Sequence, residues 1–472
     1  MNEVFFNLEQ KEIKQVHEYS LDIIENSGIK FHSSKAREIL AGAGAKIEGD
    51  LVKIPGNIVE EALEKAPASF VLGARKPECK IDLAEERTNL SLDGCAAHVI
   101  DFESGEKRAS EKRDIENMAL IGDYLEEIDI ISPMVSAQDC FPGNTRPIHE
   151  LAGCLTHTGK HVVTESTASA REARAQIELA ATVAGGRDKL RENPIFSNFV
   201  CTISPLTQDG GGMEAALEFA EAGIPVGVYS MATAGVTSPV SVAGSLIMLN
   251  AEVISALTLI QLAVPGARVF YSGGPATMNI RTGAYVASSP EALRLRMAVA
   301  EMANFYDIPC HVGAGATSAK QTGSQSAGEN VLSILLPSLA GADILFGMGL
   351  LDGSNLLRYE KVVIDNELAK VIRRIYNSVN FANGLPGIDL IKDLGPGGVY
   401  LDQKHTVEHM REELTTSALF DRDSYDSWVN EGQVTAAEKA REKVKEILGG
   451  HQAPSLSSNV KEEMQLIIEK YS

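Results

Sequence analysis

The sequence predicts an α/β protein built as a TIM (β/α)8 barrel, with an N-terminal helical cap and a C-terminal helical extension. Three observations predict it. From about residue 130, short β-rich runs alternate with helical runs in units of about 30–40 residues. The β-rich runs are apolar throughout, as expected of strands covered on both faces. No GxGxxG follows the first strand to open a helix, and the glycines at 210–212 are followed by no Lys. A nucleotide-binding open sheet is therefore the weaker alternative.

The elements follow in order. Residues 9–28 carry Ile13, Val16, Leu21, Ile23 and Ile24 at helical spacing, and Gly28 ends the run. Residues 33–45 predict a second short helix, 46–55 a hairpin turning at Gly49-Asp50, and Pro55 opens a third helix. The strand candidates are 128–137, 160–166, 195–204, 225–230, 268–273, 308–315 and 342–349. Helical runs separate them at 147–157, 169–185, 212–223, 239–263, 289–306 and 324–340. An eighth strand comes from 90–100 or from 387–393. Helices are predicted at 359–379, in 394–414 after a Gly-rich turn, and at 436–448. The expected organisation is 1–89 as helices and a hairpin packed on the barrel, 90–350 as the barrel, and 351–472 as an extension of the same domain.

Composition narrows the function. Lys and Arg total 43 against 64 Asp and Glu, a net charge of −21, so nucleic acid and anionic membrane surfaces are poor partners. The six cysteines, at 79, 95, 140, 154, 201 and 310, form no CxxC pair, which suggests reduced thiols rather than a disulfide frame or zinc cluster. The N-terminal residues lack a basic start with an apolar run, and no run of 18 apolar residues appears. A cytoplasmic protein without a membrane span is expected.

In a barrel, chemistry sits just beyond the C-terminal ends of the strands. Those positions hold Gln138, Asp139, Glu165, Phe199, Ser204, Tyr229, Ser230, Tyr271, Ser272, His311, Lys320, Phe346 and Met348. Several aromatics with one clear acid suit an organic cation, whose charge the ring faces attract without hydrogen bonds. The bland alternative is that the aromatics are barrel packing. His405 and His409 stand i, i+4 beside Glu408 and Glu412, but no third ligand is evident and no tightly bound metal is expected.

Three separated blocks carry a resemblance: HEYSLDIIENSGI with AREILAGAGAKIEGDLVKIPGNIVEEALEKAP, then LAGADILFGMGLLDG with YEKVVIDNE, then GPGGVYLDQKHTVEHMREEL with LFDRDSYDSW and EGQVTAAEKAREKVKEIL. Together they resemble the trimethylamine:corrinoid methyltransferase family over nearly the whole chain. The resemblance implies a TIM barrel that moves a methyl group from a methylated amine to the corrinoid (cobalamin) of a cognate corrinoid protein, with no tightly bound cofactor of its own. Founding members carry pyrrolysine in a Ser-rich loop; TSAKQTGSQSAGE places an ordinary Lys320 at that position. This implies the non-pyrrolysine branch, whose members demethylate quaternary amines such as glycine betaine, proline betaine and carnitine. Many relatives place Arg where this chain has His311, a Tyr near His98, and a His near Phe346. The implied catalytic residues are Lys320 and His311. The strand-end reading puts Glu165, Phe199, Tyr229, Tyr271 and Phe346 on the substrate, and the resemblance adds His98. A homo-oligomer is expected, and a non-catalytic betaine-binding protein is the rival from another class.

Overall fold

The computed structural model describes residues 7–471, apart from Cys95, Ser166, 377–378, Asn380 and 382–384. Eight parallel strands close into a ring: β1 (Asn89–Leu92), β2 (Ile130–Ile131), β3 (His161–Thr164), β4 (Phe196–Ile203), β5 (Val226–Ser230), β6 (Val269–Gly273), β7 (Cys310–Gly313) and β8 (Ile344–Met348). Each pairs in parallel with the next, and β8 returns to β1. The open alternative for the eighth strand thus falls to the earlier segment. A helix follows every strand: α1 (Lys112–Tyr124), α2 (Arg146–His157), α3 (Ala170–Ala184), α4 (Gly210–Ala222), α5 (Val242–Ala263), α6 (Pro290–Tyr306), α7 (Ser324–Leu339) and α8 (Tyr359–Tyr376). Residues 377 and 378, near the end of the helical run predicted at 359–379, lie outside the described residues.

Strand alternation divides the apolar residues into two layers. Leu90, Val162, Val200, Val228, Tyr271, Val312 and Leu345 face the helices. Ile130, Val163, Phe199, Tyr229, Phe270, Ile344 and Phe346 fill the barrel. The inner layer also includes Phe70, Leu72, Ile81 and Leu83, from a hairpin that closes the N-terminal face. There the carbonyl of Gly73 lies 2.8 Å from His161 Nδ1, and burial depresses the His161 pKa to about 4.

The ends pack as additions. The helix Gln10–Asp22 and the helix Gly56–Leu63 lie on α5. The hairpin Lys46–Glu48/Leu51–Lys53 reaches the barrel through Ile29–Phe31, which pairs with Thr207–Gln208 just past β4. At the other end, Ala436–Gly450 packs on α8 and α1, and Ser458–Tyr471 packs on α3.

Helix α5, of 22 residues, is the one apolar stretch among the described residues that matches a membrane span in length and composition, but 83% of the apolar window is buried inside the protein. It is a core helix, and its one acid explains its placement. The buried Glu252 carboxylate accepts hydrogen bonds from Thr202 Oγ1 (2.7 Å), Ser204 Oγ (2.9 Å), the Leu206 amide (2.8 Å) and Ser230 Oγ (2.7 Å). One side chain thereby ties the ends of β4 and β5 to α5. Replacing it by Ala strands four donors, so Glu252→Ala should lower stability by about 3 kcal/mol in chemical denaturation. Glu252→Gln, which keeps one acceptor oxygen, should cost less.

Candidate active site

Inward residues of β4, β5, β7 and β8 form one cluster, termed the well, inside the barrel. Phe199, Tyr229 and Phe346 stand with ring centroids 5.7 Å (Phe199–Tyr229), 6.0 Å (Phe199–Phe346) and 6.2 Å (Tyr229–Phe346) apart. His311 stacks on Phe199 at 4.0 Å and meets Phe346 edge-on at 5.3 Å. Glycines make the room. A Cβ on Gly227 would fall 2.1 Å from the Phe199 ring. The Tyr229 hydroxyl lies where side chains on Gly274 and Gly313 would begin, at 2.2 and 2.4 Å.

Acids stand beside the rings. Glu165, just past β3, holds its carboxylate against Gly94, where an added Cβ would lie 1.6 Å from Oε1. Asp93, just past β1, is fully buried and accepts hydrogen bonds from the Gly94 amide (2.9 Å) and Ser354 Oγ. Burial pushes its pKa up to about 6, against the pull of these donors and of Arg296 and Lys361. Burial raises the Tyr229 phenol well above its usual range, and both carboxylates add to that shift. Cys201, at the end of β4, is solvent-accessible, yet burial and then Glu165 lift its thiol to about 12.

The structure sorts the predicted residues. Glu165, Phe199, Tyr229, Phe346 and His311 come together. Burial keeps the His311 imidazole neutral, with its pKa well below the usual range, and neither ring nitrogen has a hydrogen-bond partner. It is therefore no cation for a carboxylate. Tyr271 faces the other way: its hydroxyl donates to Asn250 Oδ1 on α5 at 2.8 Å. Alternation sends it outward, and it does not line the well. Lys320 is 69% exposed on the rim and paired with Asp352 at 2.7 Å. His98 is exposed on a strand, His98–Ile100, that pairs with Lys107–Ala109 outside the barrel. Gln138, Asp139, Ser204 and Ser230 are occupied structurally, with Gln138 bonding Ala97 O and Asp139 accepting from the Lys112 amide.

Three residues at the well were missed by reading the sequence. Asp93 hid inside the candidate strand 90–100, and Arg296 inside a helical run. Tyr285 lies in a loop strand, Tyr285–Val286, that pairs with Ala276–Met278 beyond β6. His405 and His409 have ring centroids 4.7 Å apart, and His405 Nε2 lies 2.9 Å from Leu385 O. Among the described residues, the three donor side chains close enough to share a metal are Asp421, Asp423 and Glu431, all exposed, and the group does not include His405 or His409.

The chain matches the trimethylamine methyltransferase (MTTB) family over residues 3–472. It belongs to that family. A trimethylamine methyltransferase MttB of Desulfitobacterium hafniense is 31% identical over 462 residues, covering 98% of this chain and 92% of that protein. A glycine betaine methyltransferase of the same species is 29% identical, covering 98% and 96%. Among solved structures, the monomethylamine methyltransferase MtmB of Methanosarcina barkeri shares the fold, with a TM-score of 0.52, 14% identity, and coverage of 94% of this chain and 93% of that one. Membership in the trimethylamine methyltransferase family makes methyl transfer the reaction class.

Gly94 gives a sharp test of this site. A methyl group at 94 must displace the Glu165 carboxylate, so Gly94→Ala should weaken tetramethylammonium binding several-fold in calorimetry. Its melting temperature should stay close to that of the parent.

Proposed function

We propose that this protein demethylates a quaternary amine of the betaine type and passes the methyl group to a corrinoid carried by a partner protein. One observation carries the reading: the rings of Phe199, Tyr229 and Phe346 cluster inside the barrel, and the carboxylates of Asp93 and Glu165, just past β1 and β3, act on Tyr229. A quaternary nitrogen offers four alkyl groups and no N–H, so ring faces and nearby negative charge are what recognise it.

The reaction asks little acid–base chemistry of the protein. Its leaving group is a neutral tertiary amine, which needs no proton to depart. Co(I) on the partner's corrinoid supplies the nucleophile. The residues of this chain hold the nitrogen, exclude water and turn one N-methyl toward the mouth. Phe199, Tyr229 and Phe346 form the walls, Glu165 and Asp93 supply counter-charge, and neutral His311 closes the floor.

The rim suits a docked partner. Exposed apolar side chains follow several strands: Phe141 after β2, Ile203 at the end of β4, Met231, Val236 and Val240 after β5, and Ile280 after β6. Ile280 is 90% exposed and Val240 76%. The methyl acceptor must reach the well through this face, so the corrinoid protein is the occupant this collar fits.

A panel of glycine betaine, proline betaine, carnitine and trimethylamine, mixed with the enzyme and Co(I) cobalamin, tests the proposal by the spectrum of methylated cobalt. Quaternary amines should react and trimethylamine should not. Betaine binding without any cobalt methylation would favour a non-catalytic binder. Tyr229→Leu and Phe346→Leu should each weaken binding several-fold, since a desolvated cation–π contact contributes about 2 kcal/mol.

A pH profile tests the counter-charge. Asp93 titrates near 6, above the ordinary carboxylate range, so its negative charge develops as the pH rises through that value. Amine binding should strengthen over the same interval and release protons. The Asp93→Asn protein should lose that rise.

A further inference from the structure

The two carboxylates answer a cation, but a buried cation stands beside them with part of its hydrogen-bonding capacity unused. Arg296 lies in the second turn of α6, a helix that starts beyond the C-terminal end of β6 and is capped by the Ser289 side chain. It is 2% exposed. Its Nε donates to the Pro275 carbonyl at 3.4 Å, and it hydrogen-bonds the Tyr285 side chain. Its Nη1 is buried with no hydrogen-bond partner.

Its neighbours place this group at the well. Pro275 adjoins Gly274, against which the Tyr229 hydroxyl rests. The Arg296 charge acts on Tyr229, Tyr285 and Asp93. A guanidinium stays charged throughout the pH range in which proteins fold, and a buried N–H without an acceptor is costly. An acceptor delivered by a ligand removes that cost. A planar carboxylate matches the guanidinium fork better than any single oxygen does.

We propose that Arg296 is the anion anchor of the well. It receives the carboxylate of a zwitterionic substrate whose quaternary nitrogen lies among Phe199, Tyr229 and Phe346. The inference rests on reading the well as a quaternary-amine site, and it names the residue that selects for the acid-bearing members of that class. Lys320 is exposed and already paired, and His311 is neutral, so neither supplies this charge. The competing role for Arg296 is to balance Asp93 alone.

The two roles differ in sign. Calorimetry on the full chain compares glycine betaine with tetramethylammonium, which has no carboxylate. An anchor predicts that Arg296→Gln weakens glycine betaine about tenfold or more. Tetramethylammonium binding should be unchanged or tighter, because a repelling charge has gone. Arg296→Lys, which keeps the charge but loses the fork, should recover part of the betaine affinity. Equal losses for both ligands, or no loss for either, would overturn the proposal. If circular dichroism shows that Arg296→Gln does not fold, the unsubstituted protein decides. It should prefer glycine betaine over its methyl ester by about tenfold, and equal affinities would overturn the anchor. The two readings also fail separately. Carboxylate-dependent binding without cobalt methylation removes the reaction and keeps the anchor. Methylation without any preference for the carboxylate does the reverse.

Discussion

The space inside an eight-stranded barrel is just enough for side chains to fill, and here glycine decides which chains can occupy it. Phe199 leans into the space that Gly227 leaves, and Tyr229 into the space left by Gly274 and Gly313. Each ring lies closer to the opposite backbone than any Cβ would permit. The walls of the well are therefore set by the backbone itself. A binding site held this way loses little side-chain freedom when a ligand arrives.

The well also concentrates opposite charges in a desolvated place. Asp93, Glu165 and Arg296 come from loops and a helix attached to different strands, and barrel closure alone brings them together. Beneath them, buried Lys361 pairs with Asp365, which also accepts from Asn330 and from the Gly349 amide at 2.8 Å. The Lys361 charge also acts on Asp93.

Most of the barrel could be read from the chain. Seven strands and six helices announced themselves as apolar runs of the right length between glycines, and the count of eight followed. The facing of the strands could not be read this way. Tyr229 and Tyr271 both precede a Ser near the end of a five-residue strand, yet one lines the well and the other bonds Asn250 outside the barrel. In the ladder Tyr229 stands opposite Ser272, and Tyr271 opposite Val228. A continuous apolar run carries no mark of which parity faces inward. Arg296 was hidden for a related reason. An arginine in a helix reads as surface, and only the packing of α6 against the mouth makes it a buried charge. Lys320 stands on an exposed loop, where its ammonium pairs with Asp352.

The Glu252 hub joins two places that face different neighbours. Through Ser204 and Leu206 it holds the segment beside Ile203, which is on the outer rim. Through Ser230 it holds the residue after Tyr229, which is in the well. All these bonds end on one carboxylate of one rigid helix. Glu252 thus fastens the rim segment and the strand that carries Tyr229 to the same helix, in addition to the direct pairing of β4 with β5.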